Sequence, residues 1–122
     1  MKALVTAFEP FGGESVNASL EAVRRLPARI GALEIVTAAL PTSYARSIPA
    51  LEDAIGRAKP GIVLCVGQAG ERTALCVERV AINVQDAETA DNDGARPRDR
   101  DREAGGRGNR EDAPARRLPL RW

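Results

Sequence analysis

Two short clusters hold the residue types that could do chemistry in this sequence. The first is Phe8-Glu9-Pro10-Phe11-Gly12-Gly13, where two of the chain's four aromatic residues fall within four positions. Two rings at a strand-to-loop junction could grip a small flat ligand, and the glycines would let backbone amides approach it. The alternative is that one or both phenylalanines are plain core. The second cluster is Gly67-Gln68-Ala69-Gly70, followed by Glu78-Arg79-Val80-Ala81-Ile82-Asn83. It lacks the Gly-x-Gly-x-x-Gly spacing of a dinucleotide loop. Glu78 lies between valines in a β-rich run, and an unpaired buried carboxylate is costly. It is therefore expected to be exposed, functional, or paired with Arg79 or another base.

Composition narrows what these clusters can do. The 122 residues include no histidine, so a Cys-His or Ser-His-Asp mechanism cannot be assembled from them alone. Two cysteines, Cys65 and Cys76, are too few for a disulfide framework and carry no zinc-site spacing, so neither a metal nor a cofactor is expected. Both sit in or beside apolar runs, which predicts buried, reduced thiols. The N-terminal apolar run Ala3–Ala7 is too short for a signal peptide or a membrane span, and a cytoplasmic protein is the default expectation.

Positioning the clusters requires strands and helices, and the pattern supplies them. Residues 2–7 read as a strand and 8–16 as a loop. Asn17 is a helix N-cap, with Leu20, Val23 and Leu26 on one face before Pro27. Residues 33–40 read as a second strand. A helix over 48–58 follows, with Leu51, Ala54, Ile55 and Ala58 in a stripe. Residues 61–66 form a continuous apolar run, which predicts a strand covered on both faces. Residues 74–84 read as a fourth strand. This alternation predicts an α/β fold, a three-layer sandwich with a twisted, largely parallel sheet between helices. Ligands of such sheets bind beyond the carboxyl ends of the strands, where both clusters would lie.

The net charge of +1 conceals a division. Residues 1–95 carry 9 basic against 12 acidic side chains, whereas residues 96–122 carry 9 arginines against 5 acids. From position 91 onward the only Leu, Ile, Val or Phe residues are Leu118 and Leu120, so residues 91–122 read as disordered. The expected organisation is a folded unit over 1–95 and an Arg/Gly/Pro-rich tail over 96–122. An arginine-rich tail could bind nucleic acid, but five interspersed acids weigh against that, and no nucleic-acid partner is expected.

Several separated blocks resemble the pyroglutamyl peptidase I family. They are Leu4-Val-Thr-Ala-Phe-Glu-Pro-Phe-Gly-Gly13, Asn17-Ala-Ser19, Val66-Gly-Gln-Ala-Gly70, Val77-Glu-Arg-Val-Ala-Ile-Asn83, and Asp91-Asn92 with Gly94 and Pro97. The resemblance implies a cysteine peptidase that hydrolyses the amide bond after an N-terminal pyroglutamyl residue. It implies pyroglutamyl peptides as partners and leaves room for a homo-oligomer. Glu78 matches the glutamate that orients the catalytic histidine. Phe8 and Phe11 match the aromatics that sandwich the lactam ring, and Asn17 and Gln68 match positions near the substrate pocket. Such a pocket should be apolar with a few placed hydrogen bonds, since pyroglutamate has no α-amino charge. Ala7, Ala18, Glu71 and Cys76 depart from the family pattern.

The family's nucleophile and histidine blocks, which lie further downstream, are not found in these 122 residues, and neither Cys65 nor Cys76 falls at the nucleophile position. The resemblance therefore implies an inactive chain, or a noncatalytic remnant that still binds pyroglutamyl peptides or a partner. Near the end, Ala115-Arg116-Arg117-Leu118-Pro119 can be encoded by GCC-CGC-CGC-CTA-CCN, which shifted by one base reads Pro-Ala-Ala-Tyr, a family-type block. The expectation is a tail of frameshifted or truncated origin.

Overall fold

The computed structural model describes residues 1–101, and the expectations for the remainder of the tail lie outside them. Strand β1 (Lys2–Phe8) is the centre of the molecule. Helix α1 (Ala18–Arg24), strand β2 (Arg29–Ile30), strand β3 (Leu33–Leu40), helix α2 (Ser47–Ala58) and strand β4 (Ile62–Val66) follow. The sheet order is β2-β3-β1-β4. Strand β1 pairs parallel to β3 and β4, and the short β2 pairs antiparallel to β3. The predicted α/β class with a largely parallel sheet is what the chain adopts.

The connections explain why the sheet has a helix on each side. The chain passes from β1 through α1 to β3 on one side, then returns through α2 to β4 on the other. Right-handed crossovers in opposite directions place their helices on opposite faces. Alternate residues of β1 meet the two layers. Val5 and Ala7 pack with Leu20 and Val23 of α1, while Leu4 and Thr6 are the most completely buried side chains. Helix α2 buries Ala54 and Ala58 and ends at Lys59, which takes the left-handed region (φ 47°) before Pro60. A residue preceding proline is disfavoured in the α region, which stops the helix there.

Three expectations need correction. Residues 74–83 form no strand; only Val84–Gln85 (β5) is extended, paired with Arg100–Asp101 (β6). The β-branched residues of this stretch lie exposed, because no neighbouring strand meets them among the described residues. Strand β4 exists as expected but is not covered: Ile62, Val63 and Leu64 are 46, 40 and 55% exposed. Among the described residues it is the last strand of the sheet, and α1 and α2 pack chiefly on β1 and β3. For the same reason Cys65 is exposed, and Cys76 is exposed in the irregular segment, so neither is the buried thiol anticipated.

Candidate active site

Parallel pairing decides where the chemistry can gather. Phe8 stands opposite Leu40 and Ala7 opposite Val66, so β1, β3 and β4 all end on one rim. The order β3-β1-β4 makes β1 the strand from which successive connections diverge, the topological position at which open α/β sheets bind ligands.

Phe8 closes β1 on this rim and is half-buried, as is Phe11. Phe11 opens a tight turn in which Glu14 N–H donates to Phe11 O at 3.2 Å. Gly12 and Gly13 occupy its centre with φ of +67° and +82°, a conformation that side-chain-bearing residues resist. The turn is tied down by Thr42 Oγ1 donating to Glu9 O at 2.7 Å and by Asn92 Nδ2 donating to Pro10 O at 2.9 Å.

Asn17 caps α1 as its sequence position predicts. Its Oδ1 accepts from Ser19 N–H at 3.0 Å, from Leu20 N–H at 3.4 Å and from the Ser19 hydroxyl at 2.6 Å. The residue is 2% exposed, and its Nδ2 has no hydrogen-bond partner among the described residues. A buried amide donor left unsatisfied costs about 1–3 kcal/mol, so it marks a place where an acceptor is wanted. Gln68, just past β4, accepts from Ala18 N–H through Oε1 at 2.7 Å. One side-chain bond thus joins the loop after β4 to the first turn of α1, next to Asn17.

Glu78 stands apart from this cluster in the chain's course. It is exposed, in the irregular segment after Gln68, and its carboxylate accepts from Arg72 Nη1 at 2.6 Å. Of the alternatives left open for this carboxylate, it is exposed and paired, and the base is Arg72, not Arg79. The guanidinium of Arg72 is held protonated above its usual range by the bond to Glu78 and then by contact with Cys76.

The loop at 91–95 belongs to the rim, although its composition reads as disordered. Asp91 Oδ2 accepts from Tyr44 N–H at 2.7 Å, and Oδ1 accepts from Asp93 N–H at 3.0 Å and Ala95 N–H at 2.7 Å. Burial opposes ionisation of Asp91, but these three backbone donors outweigh it and lower its pKa. Asn92 N–H donates to Thr42 O at 3.0 Å. Arg46 grips Asp93 through both Nε and Nη2 at 2.7 Å. The signal that could have found this loop is Asp91 within Asp91-Asn92-Asp93-Gly94, whose carboxylate accepts from the backbone two and four residues on and needs no apolar residues.

Asp93 carries a pH dependence. The Arg46 bond, followed by one with Ser43, lowers its pKa from 3.8 to about 2. A carboxylate with a depressed folded-state pKa stabilises above its unfolded pKa, and that contribution is lost as pH falls through the folded one. The stability that the Arg46–Asp93 grip contributes should therefore be present in full at pH 5 and be lost as pH falls from 3.8 to about 2, with the folded carboxylate itself taking up its proton and releasing Arg46 near about 2. Carboxyl-carbon NMR shifts of Asp93 across this range check it; a midpoint at the ordinary 3.8 would exclude the pairing in solution.

Among the described residues no group of three or more His, Cys, Asp or Glu could hold a metal ion, and no helix is long and apolar enough to cross a membrane.

A family model described as pyroglutamyl peptidase matches residues 1–119. The pyrrolidone-carboxylate peptidase of Thermosipho africanus is 54% identical over 99 residues, which are 81% of this chain and 48% of that protein. The Streptococcus pyogenes serotype M1 protein of the same name is 50% identical over 99 residues, 81% of this chain and 46% of its own. Among solved structures, pyroglutamyl peptidase I from Bacillus amyloliquefaciens matches at a TM-score of 0.81 with 47% identity, covering 87% of this chain and 51% of that one. Pyrrolidone carboxyl peptidase from Pyrococcus furiosus gives 0.81 and 36%, over 88% and 52%. The chain spans about half the length of the relatives it matches.

Proposed function

Because the chain belongs to the pyroglutamyl peptidase family, we propose that its described residues carry the substrate-binding side of a site for N-terminal pyroglutamyl peptides. Phe8 and Phe11 flank the lactam ring, and Asn17 and Gln68 line the pocket. The buried Nδ2 of Asn17, unsatisfied beside the Ala18–Gln68 bond, is the observation that carries this reading, since a lactam carbonyl is an acceptor of the required kind. Glu78 is the carboxylate that orients a histidine in the hydrolytic reaction, in which a cysteine attacks the scissile carbonyl. It would have to exchange Arg72 for an imidazole to do so.

The 122 residues contain no histidine, so on this reading they bind without turning over. Incubation with a pyroglutamyl coumarylamide should release no fluorophore. Titration with a pyroglutamyl dipeptide should shift the amide resonances of Phe11, Asn17 and Gln68, and Phe11→Ala should weaken that binding. Turnover abolished by Cys65→Ser or Cys76→Ser would overturn the assignment of the cysteines. Unmoved amides would remove the binding site. The cysteine-peptidase chemistry and the frameshifted origin of the tail are part of the same proposal; the encoding DNA, read in its other frames beyond codon 95, tests the latter.

In an active chain joining these residues to a family cysteine and histidine, Glu78→Gln keeps the shape and removes the charge. Its kcat should fall by about tenfold or more with KM nearly constant, because tautomer control and imidazolium stabilisation act in the transition state. An unchanged kcat in a folded variant would make the carboxylate structural.

A further inference from the structure

Ala18 is the first residue of helix α1, where a backbone N–H has no carbonyl partner within the helix. That N–H donates to Gln68 Oε1 at 2.7 Å, across fifty positions of sequence. The bond fixes a choice. A carboxamide carries an acceptor oxygen and a donor NH2 group on one carbon, and its two orientations exchange them. A backbone N–H can only donate, so the atom that faces Ala18 has to be the oxygen. Gln68 Nε2 is thereby the end turned away from Ala18.

A second carboxamide is fixed in the same sense one residue away. Asn17 is 2% exposed, and its Oδ1 accepts from Ser19 N–H, Leu20 N–H and the Ser19 hydroxyl. Its Nδ2 has no partner among the described residues. Asn17 and Gln68 thus both commit their oxygens to the start of α1 and hold out their donors.

A pyroglutamyl ring offers one strong acceptor, the lactam carbonyl, and one donor, the ring N–H. We propose that the Ala18 N–H determines the specificity of the pocket: by holding the oxygen of Gln68, it makes Gln68 and Asn17 read the ring carbonyl together and leaves the ring N–H unread by either side chain. The ligand class is therefore a five-membered ring bearing that carbonyl, a lactone as well as a lactam. The proposal rests on the functional reading above and goes beyond it in naming the ring chemistry.

The test is titration of the 122-residue chain, followed through the amide resonances of Asn17 and Gln68. The ligands are pyroglutamyl-alanine, its lactone counterpart with oxygen in place of the ring N–H, and its cyclopentanecarbonyl counterpart with neither polar group. Lactam and lactone should bind within about fivefold of each other, and the cyclopentane about tenfold or more weaker. A site that hydrogen-bonds the ring N–H would reject the lactone far more strongly than this.

Ala18→Pro removes the donor that holds Gln68. Proline suits the first helical position, and Asn17 already has the extended backbone (φ −115°, ψ 116°) required of a residue before proline. Circular dichroism should be unchanged, while Gln68 becomes free to turn its oxygen to the ring N–H. The preference for lactam over lactone should then rise by about fivefold or more. Gln68→Glu keeps an oxygen for Ala18 but loses the donor, and should weaken both rings about tenfold.

A lactone bound about tenfold or more weaker than the lactam by the unaltered chain overturns the proposal. So does an unchanged preference in folded Ala18→Pro, or undiminished binding by Gln68→Glu. If Ala18→Pro unfolds, the unaltered chain and Gln68→Glu decide the matter. In each of these cases lactam binding leaves the functional reading standing; binding of neither ring by the unaltered chain overturns both.

Discussion

Leu4→Ala should lower the unfolding free energy by about 2–5 kcal/mol, the range for truncating a fully buried leucine. Leu4 is 0% exposed in the central strand, with a strand paired on each side and helices on both faces of the sheet. Its truncation leaves a cavity that neighbours bonded in register cannot fill. Small domains are stable by roughly 5–15 kcal/mol, so this one change removes a large share of the total. Urea denaturation monitored by circular dichroism measures it. The control is Leu64→Ala in the adjacent strand: because that side chain is 55% exposed, truncation should cost under about 1 kcal/mol in the isolated chain. Equal losses at the two positions would mean that β4 is covered in solution.

The second large effect is expected at Asp91→Ala, which removes an acceptor shared by the backbone N–H groups of Tyr44, Asp93 and Ala95. Hydrogen bonds to a charged group contribute about 1.5–3 kcal/mol, and the loss here should fall in that range because water can reach part of the vacated site. The consequence is local. The 91–95 loop should detach, freeing the Asn92 bonds to Thr42 and Pro10 and loosening the turn that carries Phe11. Amide exchange at Tyr44, Asp93 and Ala95 should accelerate together, with Val5 and Val23 unaffected. Asp91→Asn keeps an acceptor oxygen but not the charge and should lie between the two. If Asp91→Ala left these amides protected, the loop would be held by other contacts.

Most of the frame was legible from the residues. The runs at 2–7, 33–40 and 61–66 and the stripe at 48–58 correspond to β1, β3, β4 and α2 with end-point differences of at most one residue, because apolar periodicity is a local property that burial enforces. Asn17 as an N-cap was equally local: a short acceptor side chain ahead of a helix has one favourable use. The parallel class followed from the alternation of strands and helices.

Other features required the three-dimensional arrangement. Residues 74–83 have the composition of a strand, but a strand exists only if a neighbour takes its hydrogen bonds, and composition does not report the neighbour. Burial of β4 and of Cys65 failed on the same ground, since whether an apolar run is covered depends on what lies beside it in space. For Glu78 the cost of isolating a charge left exposure, function or pairing with a base all open, and only the loop path brought Arg72 to it. The 91–95 loop reverses the case: poor in apolar residues, it is held by Asp91 and by the Arg46–Asp93 pair across more than forty positions. The sequence by itself determined the family, the sheet and helices, and the residues available for chemistry, because these depend on local pattern and residue type. The tertiary structure decided which ends of the strands share a rim and, among the described residues, which donor on it lacks an acceptor and which strand is most exposed, because pairing and coverage are relations between distant segments.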